Sequence, residues 1–193
     1  NEGVDLPDQP INVVVRSDSS GTTFVFTKHL AEINSEFAES VGVEKAPNWP
    51  MGTKSKGNEG VTASITTTPG SIGYIEFGYA TGAKLAMASL ENKVGKFVKP
   101  SIESAQAAMA TAQMPDDLIA WLPDPAGEDS YPIVTFTWLI CYKKYDDAAK
   151  VKALKDVITY CLDEGQKSSE KLGYIPLPEA VVTKVKAALS NIK

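Results

Sequence analysis

Histidine and cysteine are scarce in this sequence of 193 residues, and their scarcity excludes several kinds of site. The single histidine, His29, excludes any mechanism that needs paired histidine ligands. Two cysteines, Cys141 and Cys161, are too few for a disulfide scaffold and lack the spacing of a metal site. We expect both to be small, unbonded core residues, with a disulfide between them as the alternative. The sequence predicts neither a metal site nor a resident cofactor.

Long apolar runs and excess positive charge are missing as well. An apolar stretch such as residues 133–142 is too short and too interrupted to span a bilayer. Nineteen basic and 24 acidic side chains give a net charge of −5, which argues against bulk binding to nucleic acid or to anionic membranes. The chain opens without the basic start and apolar run of a signal peptide, so we expect a mature product or a chain whose beginning lies elsewhere. The net charge still allows a local site for one small anion.

The order of apolar patterns along the chain predicts an α/β fold, because strands alternate with helices. The β-branched run at residues 11–15 predicts a buried strand, and apolar residues at helical spacing after it predict a helix. Two prolines and a glycine predict a linker at residues 123–129. Further strands are predicted at residues 72–77 and 133–142, and helices at residues 60–66, 101–111, 148–171 and 178–191.

The turn after the first strand is rich in hydroxyl groups and carries the strongest chemical signal. Backbone N–H groups at a helix start bear partial positive charge and hold anions. Ser20 and Thr22 add hydroxyl donors, and Gly21 lets the backbone approach a ligand closely. Arg16 offers a planar fork of N–H donors, which Asp18 is placed to orient. These residues predict an anion site, with ordinary helix capping as the alternative.

Other candidate sites have weaker sequence support. Ser19 or Ser20 as a nucleophile would need His29 as its base, and the histidine can instead face the helix surface; no Gly-x-Ser-x-Gly elbow is present. The turn is neither a Walker loop nor a dinucleotide-binding fingerprint. The acidic residues Asp124, Glu128 and Asp129 favour a solvated linker over a cation site. We expect the tryptophans to pack against other side chains: Trp49, Trp121 and Trp138. We expect the loop lysines to be exposed: Lys54, Lys56, Lys93, Lys96 and Lys99.

Residues 16–27 (Arg-Ser-Asp-Ser-Ser-Gly-Thr-Thr-Phe-Val-Phe-Thr) resemble the phosphate-contacting segment of a known family. That family comprises the periplasmic phosphate-binding proteins of high-affinity phosphate ABC transporters. Further stretches agree with the family in order along the chain, so that the resemblance covers nearly all of it: residues 49–52, 56–60, 69–77, 131–133 and 173–178, and the closing helix.

The resemblance implies a two-lobed α/β solute-binding protein of type II-like architecture that binds inorganic phosphate in an interlobe cleft and delivers it to an ABC permease. It implies no enzymatic activity, and a place in the periplasm or, with a lipid anchor, on the outer face of the cytoplasmic membrane. By motif, Arg16, Ser20, Gly21 and Thr22 correspond to phosphate ligands, and Asp18 corresponds to the carboxylate that pairs with the arginine. The alternative is a phosphatase-like protein, or a binding protein for sulfate, molybdate or another oxyanion, with the same anion cradle.

The resemblance also implies that the fold is incomplete. Nothing in residues 1–15 resembles the segment rich in glycine and small residues with which the first lobe of the family begins. We therefore assign residues 1–128 to most of the second lobe, including the anion-binding turn, and residues 129–193 to the C-terminal part of the first lobe. The expected partners are inorganic phosphate, the ABC transporter permease, and the missing N-terminal segment as another chain, with self-association as the alternative. Nucleic acid is not expected as a partner.

Overall fold

The structure is a computed structural model that describes residues 3–193. The chain forms two compact units, of which one ends at Ala86 and the other runs from Met87 to Lys193. Both units contain helices and strands, which confirms the predicted α/β class. Across the described residues, no helix combines the length and the hydrophobicity that a bilayer crossing needs.

A parallel sheet of three strands organises the first unit, with the strand order β2-β1-β3. The central strand β1 is Asn12–Arg16, as the β-branched run predicted, and Val14 and Val15 within it are only 2% and 3% exposed. In the register of the sheet, Arg16 lies opposite Ser55. The other elements are β2 (Thr53–Ser55), β3 (Ser71–Gly73) and the helices α1 (Gly21–Ile33), α2 (Ser35–Ser40), α3 (Gly57–Thr67) and α4 (Phe77–Gly82).

Local chemistry explains where α1 begins and how closely α3 packs on the sheet. Ser20 has extended backbone, and its hydroxyl oxygen accepts the N–H of Thr23 at 3.2 Å, which caps α1. Gly73 of β3 sets the approach of α3, because a Cβ there would lie 2.9 Å from the carbonyl oxygen of Val14 and 3.2 Å from Cγ1 of Val61. The fully buried Val61 therefore reaches the sheet only because residue 73 has no side chain.

The second unit combines two small antiparallel sheets with three helices. Its hydrophobic core joins α5, the β6–β7 pair and the last helix through a cluster of buried side chains: Met109, Ala120, Leu122, Phe136 and Val181. Its strands are β4 (Leu90–Glu91), β5 (Phe97–Val98), β6 (Trp121–Leu122) and β7 (Val134–Thr135), and its helices are α5 (Ile102–Ala110), α6 (Ala148–Leu162) and α7 (Glu179–Leu189), with 3₁₀ turns at Glu164–Ser168 and Glu170–Leu172.

The predicted linker at residues 123–129 is anchored by one buried side chain. The Asn92 amide donates to the carbonyl oxygen of Glu128 at 2.8 Å, and its own oxygen accepts the backbone N–H groups of Val94 and Lys96. Lys96 in turn pairs with the carboxylates of Glu128 and Asp129. The predicted lobe boundary at 128/129 thus falls inside the second unit, and the assignment of residues to lobes stays a prediction.

Two strand predictions are too long. Only Val134 and Thr135 of residues 133–142 are in a strand, and the predicted strand at 72–77 is shortened because the pairing of β3 with β1 ends at Gly73. An isolated extended segment gains nothing without a neighbour that accepts its backbone hydrogen bonds. Within the part of the chain that the structure describes, β7 pairs only with β6, over two residues.

The prediction for the region that contains Cys161 also needs correction. Helix α6 ends at Leu162 rather than at residue 171, and 3₁₀ turns follow it. Both cysteines are unbonded, as expected, but Cys161 is exposed and Cys141 is half-buried, so neither is a fully buried core residue. The reason is that α6 buries only a narrow stripe, formed by Ile158 and Leu162, and Cys161 lies beside that stripe.

Candidate anion-binding site

The candidate site lies where the three parallel strands of the first unit end. Arg16 ends β1, residues 56–58 follow β2, and Tyr74 follows β3. In open α/β sheets, ligands bind outside the carboxyl ends of the strands. Four residues connect Arg16 to Gly21, where helix α1 begins, so the first N–H groups of α1 are brought to the same edge of the sheet.

The guanidinium of Arg16 is held in a fixed orientation by two side chains. Its Nε donates to Oδ1 of Asp18 at 2.9 Å, its Nη2 donates to Oδ2 of Asp18 at 2.7 Å, and its Nη1 donates to Oδ1 of Asn58 at 3.2 Å. Arg16 is the only arginine of the sequence, and its side chain is only 9% exposed. A guanidinium carries five N–H groups, so these three bonds leave two N–H groups for a ligand.

Asp18 connects the arginine to the start of α3. Its Oδ1 accepts the backbone N–H of Gly57 at 3.0 Å, and this bond replaces the cap that Lys56 does not provide. The hydrogen bonds from Arg16, and then the N–H of Gly57, hold the pKa of Asp18 far below its ordinary value. The hydrogen bonds to Asp18 raise the pKa of Arg16, so the pair is charged at any physiological pH.

Gly57 is required at this point by its backbone conformation. Its φ of 70° lies in the left-handed region, and a Cβ there would come within 2.5 Å of the carboxylate of Glu59. The pKa of Glu59 is lowered by its own backbone N–H and by the Tyr79 hydroxyl, which donates to its Oε1 at 2.7 Å. Glu59 thus stays ionised near the arginine. Asn58, which lies between Gly57 and Glu59, accepts a hydrogen bond from Nη1 of Arg16.

The first turn of α1 presents unused donors. Within residues 3–193, the amide nitrogens of Gly21 and Thr22 have no hydrogen-bond acceptor. The Ser20 hydroxyl accepts the Thr23 N–H through its oxygen, which leaves its own hydrogen to donate. A Cβ on Gly21 would meet no atom within 4 Å, so the space beside this turn is open. The turn can therefore supply two amides and one hydroxyl to an anion.

All five residues predicted for the site lie on the β1–α1 connection: Arg16, Asp18, Ser20, Gly21 and Thr22. The predicted pairing of Asp18 with Arg16 is present as a two-bond fork. The contacts of the other four residues with phosphate stay a prediction.

The serine–histidine alternative does not fit the geometry of α1. His29 is 4% exposed, so a place on the helix surface is wrong. It lies eight residues after Gly21, which is about 12 Å along the helix axis at 1.5 Å per residue. That distance is too large for His29 to take a proton from Ser19 or Ser20 at the start of the helix.

Three site residues were not predicted for the site: Gly57, Asn58 and Tyr74. No strand was predicted at residues 53–55, because β2 has only three residues and no apolar pattern. Only the parallel pairing of β2 with β1 places residues 57 and 58 beside Arg16. Tyr74 lay inside the strand predicted at residues 72–77. Because β3 ends at Gly73, Tyr74 instead follows the strand, at the carboxyl edge of the parallel sheet.

The tryptophans pack as expected. In the first unit, the Trp49 ring lies 6.1 Å from the ring of Tyr74 and 6.5 Å from that of Phe37. In the second unit, the rings of Trp121 and Trp138 are 4.7 Å apart, and the indole N–H of Trp138 donates to the Leu118 carbonyl. No group of three or more metal-ligating side chains was found among the described residues.

Comparisons with known proteins identify relatives along the whole chain. A family model for the PBP superfamily domain matches residues 1–164. The phosphate-binding protein PstS of Pasteurella multocida is 41% identical over 189 residues, which cover 97% of this chain and 55% of that protein. The phosphate-binding protein PstS of Methanocaldococcus jannaschii is 43% identical over 207 residues, with 97% and 53% covered. The chain spans about half the length of the curated relatives it matches.

Solved structures share the fold. A high-affinity periplasmic phosphate-binding protein solved with bound phosphate is 26% identical, with a TM-score of 0.71 over 93% of this chain and 57% of that chain. A human phosphate-binding apolipoprotein is 24% identical, with a TM-score of 0.73 over 93% of this chain and 59% of that chain, and supports the fold alone.

Proposed function

The chain belongs to the PBP superfamily, and on that premise we propose that it is the phosphate-binding part of an extracytoplasmic solute-binding protein that delivers inorganic phosphate to an ABC permease. The observation that carries the proposal is the arrangement of the Arg16 guanidinium, oriented by Asp18 and Asn58, beside the start of α1. Relatives named phosphate-binding proteins at 41% and 43% identity support this choice of ligand.

The donors fit a small tetrahedral anion. We propose that two guanidinium N–H groups of Arg16, the amides of Gly21 and Thr22, and the Ser20 hydroxyl donate hydrogen bonds to the oxygen atoms of this anion. Each charged hydrogen bond contributes about 1.5–3 kcal/mol net. The partial positive charge at the start of α1 adds to the attraction for an anion.

We propose binding without catalysis. The relatives are binding proteins by name, and hydrolysis of a phosphate ester would need a nucleophile with a base or a metal ion within reach. His29, the only histidine, lies about 12 Å down α1 from the turn. A chromogenic phosphate ester should therefore release no product above the rate of the Arg16→Ala variant, and turnover that Arg16→Ala abolishes would favour a phosphatase.

Calorimetric titration of the full-length protein, with whatever sequence flanks residues 1–193, tests the choice of ligand. We expect one phosphate per protein and weaker binding of sulfate and molybdate. Tighter binding of either competitor would favour another oxyanion as the natural ligand. No binding of phosphate by calorimetry and by equilibrium dialysis with radiolabelled phosphate would refute the proposal. Fractionation of the source cells tests location, since we propose the periplasm or a lipid anchor on the outer face of the cytoplasmic membrane.

We also propose that this chain works together with polypeptide outside residues 1–193, as a separate chain or as part of the same one. Leu139, Ile140 and Tyr142 are 73%, 98% and 78% exposed, and the extended segment that carries them has no strand partner among the described residues beyond Thr135. Curated relatives are about twice as long. In size-exclusion chromatography, residues 1–193 alone should associate or elute as a poorly folded species. A well-folded, stable monomer of this chain would contradict the proposal.

A further inference from the structure

The hydroxyl group of Tyr74 joins the two halves of the candidate site. Its oxygen accepts the backbone N–H of Arg16 at 3.3 Å and lies 2.8 Å from Oγ1 of Thr23. Because the oxygen accepts from Arg16, its own hydrogen is available to Thr23. One oxygen atom therefore links the last residue of β1 to the first turn of α1.

Aromatic packing holds this hydroxyl in place. The Tyr74 ring is stacked on the Phe26 ring, with centroids 4.3 Å apart and planes 14° apart. The ring of Trp49 lies 6.1 Å away at an angle of 43°. Phe26 belongs to α1, so the ring of Tyr74 packs on the same helix that its hydroxyl group contacts. The bond to Thr23, whose side chain is fully buried, is shielded from water.

The two elements that Tyr74 links are the two sources of donors for an anion. Arg16 supplies guanidinium N–H groups from β1, and the Ser20–Thr22 segment supplies amides and a hydroxyl from α1. Donors on separate elements bind a small ion well only when their separation is set before the ion arrives. Tyr74, which directly follows β3, bridges Arg16 to Thr23 on the buried face of α1.

We propose that Tyr74 is a positioning residue of the anion site, which rests on the proposed phosphate binding. Its hydroxyl sets the distance between the Arg16 guanidinium and the N–H groups of α1, and it does not itself contact the anion. Removal of the hydroxyl alone should therefore weaken phosphate binding without removing any donor.

Calorimetric titration of the full-length protein with phosphate tests the proposal through Tyr74→Phe. This variant keeps the ring and its stacking and removes only the linking oxygen. We expect phosphate affinity to fall about tenfold, which corresponds to the loss of one hydrogen bond and of the order that it imposes. Tyr160→Phe is the control, because it removes an exposed tyrosine hydroxyl from the second unit, outside this link, and its affinity should stay within about twofold of wild type.

The double variant Thr23→Val/Tyr74→Phe separates positioning from stability. Tyr74→Phe leaves the Thr23 hydroxyl buried without its partner and lowers the urea midpoint. The double variant removes the unpaired Thr23 hydroxyl and should recover part of the midpoint, since only the backbone N–H of Arg16 still lacks its acceptor. The link stays broken, so affinity should remain about tenfold low. Thr27→Val, which removes another fully buried hydroxyl of α1, should lower the midpoint and leave affinity unchanged.

Unchanged affinity in Tyr74→Phe, or affinity that recovers with the midpoint in the double variant, would overturn the positioning role while phosphate binding by the wild type stands. A wild-type protein that binds no phosphate would instead refute the proposed function, and the positioning role would fall with it.

Discussion

Replacement of Arg16 with alanine should weaken phosphate binding by about 2–4 kcal/mol. The structure leaves two of the five guanidinium N–H groups unused, and each charged hydrogen bond contributes about 1.5–3 kcal/mol net. Water that enters the vacated space donates to the anion in their place and returns part of that loss. The expected change is a rise in Kd of about 30- to 700-fold, since 1.4 kcal/mol corresponds to a factor of ten.

Calorimetric titration at constant ionic strength measures this change, with two variants as references. Arg16→Lys keeps the positive charge but loses the planar fork that Asp18 and Asn58 orient, so most of the loss should persist. Lys54→Ala removes a positive charge from the neighbouring strand, at an exposed position, and should change affinity by less than about threefold.

Three results would refute this reasoning. Phosphate affinity in Arg16→Ala within about threefold of wild type would show that the guanidinium does not contact the anion. Full affinity in Arg16→Lys would show that charge, and not the oriented fork, decides binding. An equal loss in Lys54→Ala would show a long-range electrostatic effect rather than a local site. A urea titration of each variant establishes that the compared proteins are folded.

Further predictions concern stability. Because the pKa of Asp18 is lowered in the folded state, its contribution to stability is present above the ordinary carboxyl pKa, about 4, and is lost as pH falls toward the folded value. The urea midpoint of the wild type should therefore fall between about pH 5 and pH 3. An equal fall in Asp18→Asn would contradict the assignment of this pH dependence to Asp18. The Ser130 hydroxyl is buried and has no hydrogen-bond partner among residues 3–193, so Ser130→Ala should leave the free energy of unfolding unchanged or raise it by up to about 1 kcal/mol. A clear loss of stability would contradict this. Gly73→Ala should lower the free energy of unfolding by about 1–3 kcal/mol, since its Cβ would lie 2.9 Å from a backbone carbonyl of β1. The Cβ of Gly21→Ala would meet no atom within 4 Å, so this variant should not be destabilised. Equal urea midpoints for the two variants would contradict the packing of α3 on the sheet.

Local patterns predicted the part of the site that is contiguous in sequence. The β-branched run, the capping serine and the helical spacing after it are short-range properties, so strand β1, the turn and a helix after it were predicted. The fork between Arg16 and Asp18 was predicted for the same reason, since the two residues are separated by one position. The last helix also followed from apolar spacing, and α5 followed from the alanine-rich composition of residues 101–111.

Long-range pairing limited the prediction of the strands. Residues 133–142 have the composition of a strand, yet only two of them pair. A strand is stabilised by its contacts with a neighbouring strand more than by the conformational preference of its own residues. The linker at residues 123–129 likewise gained an anchor in Asn92, which lies more than thirty positions earlier in the sequence. No local sequence pattern predicts such a long-range contact.

By itself, then, the sequence determined the α/β class, the hydroxyl-rich turn and its arginine, because backbone preference, apolar spacing and neighbouring charges act within a few residues of one another. Only the tertiary structure decided that Asn58 and Tyr74 join Arg16, since parallel pairing brings the ends of β2 and β3 to the end of β1. Those contacts span 42 and 58 positions, and only the folded sheet brings such distant residues within hydrogen-bond distance.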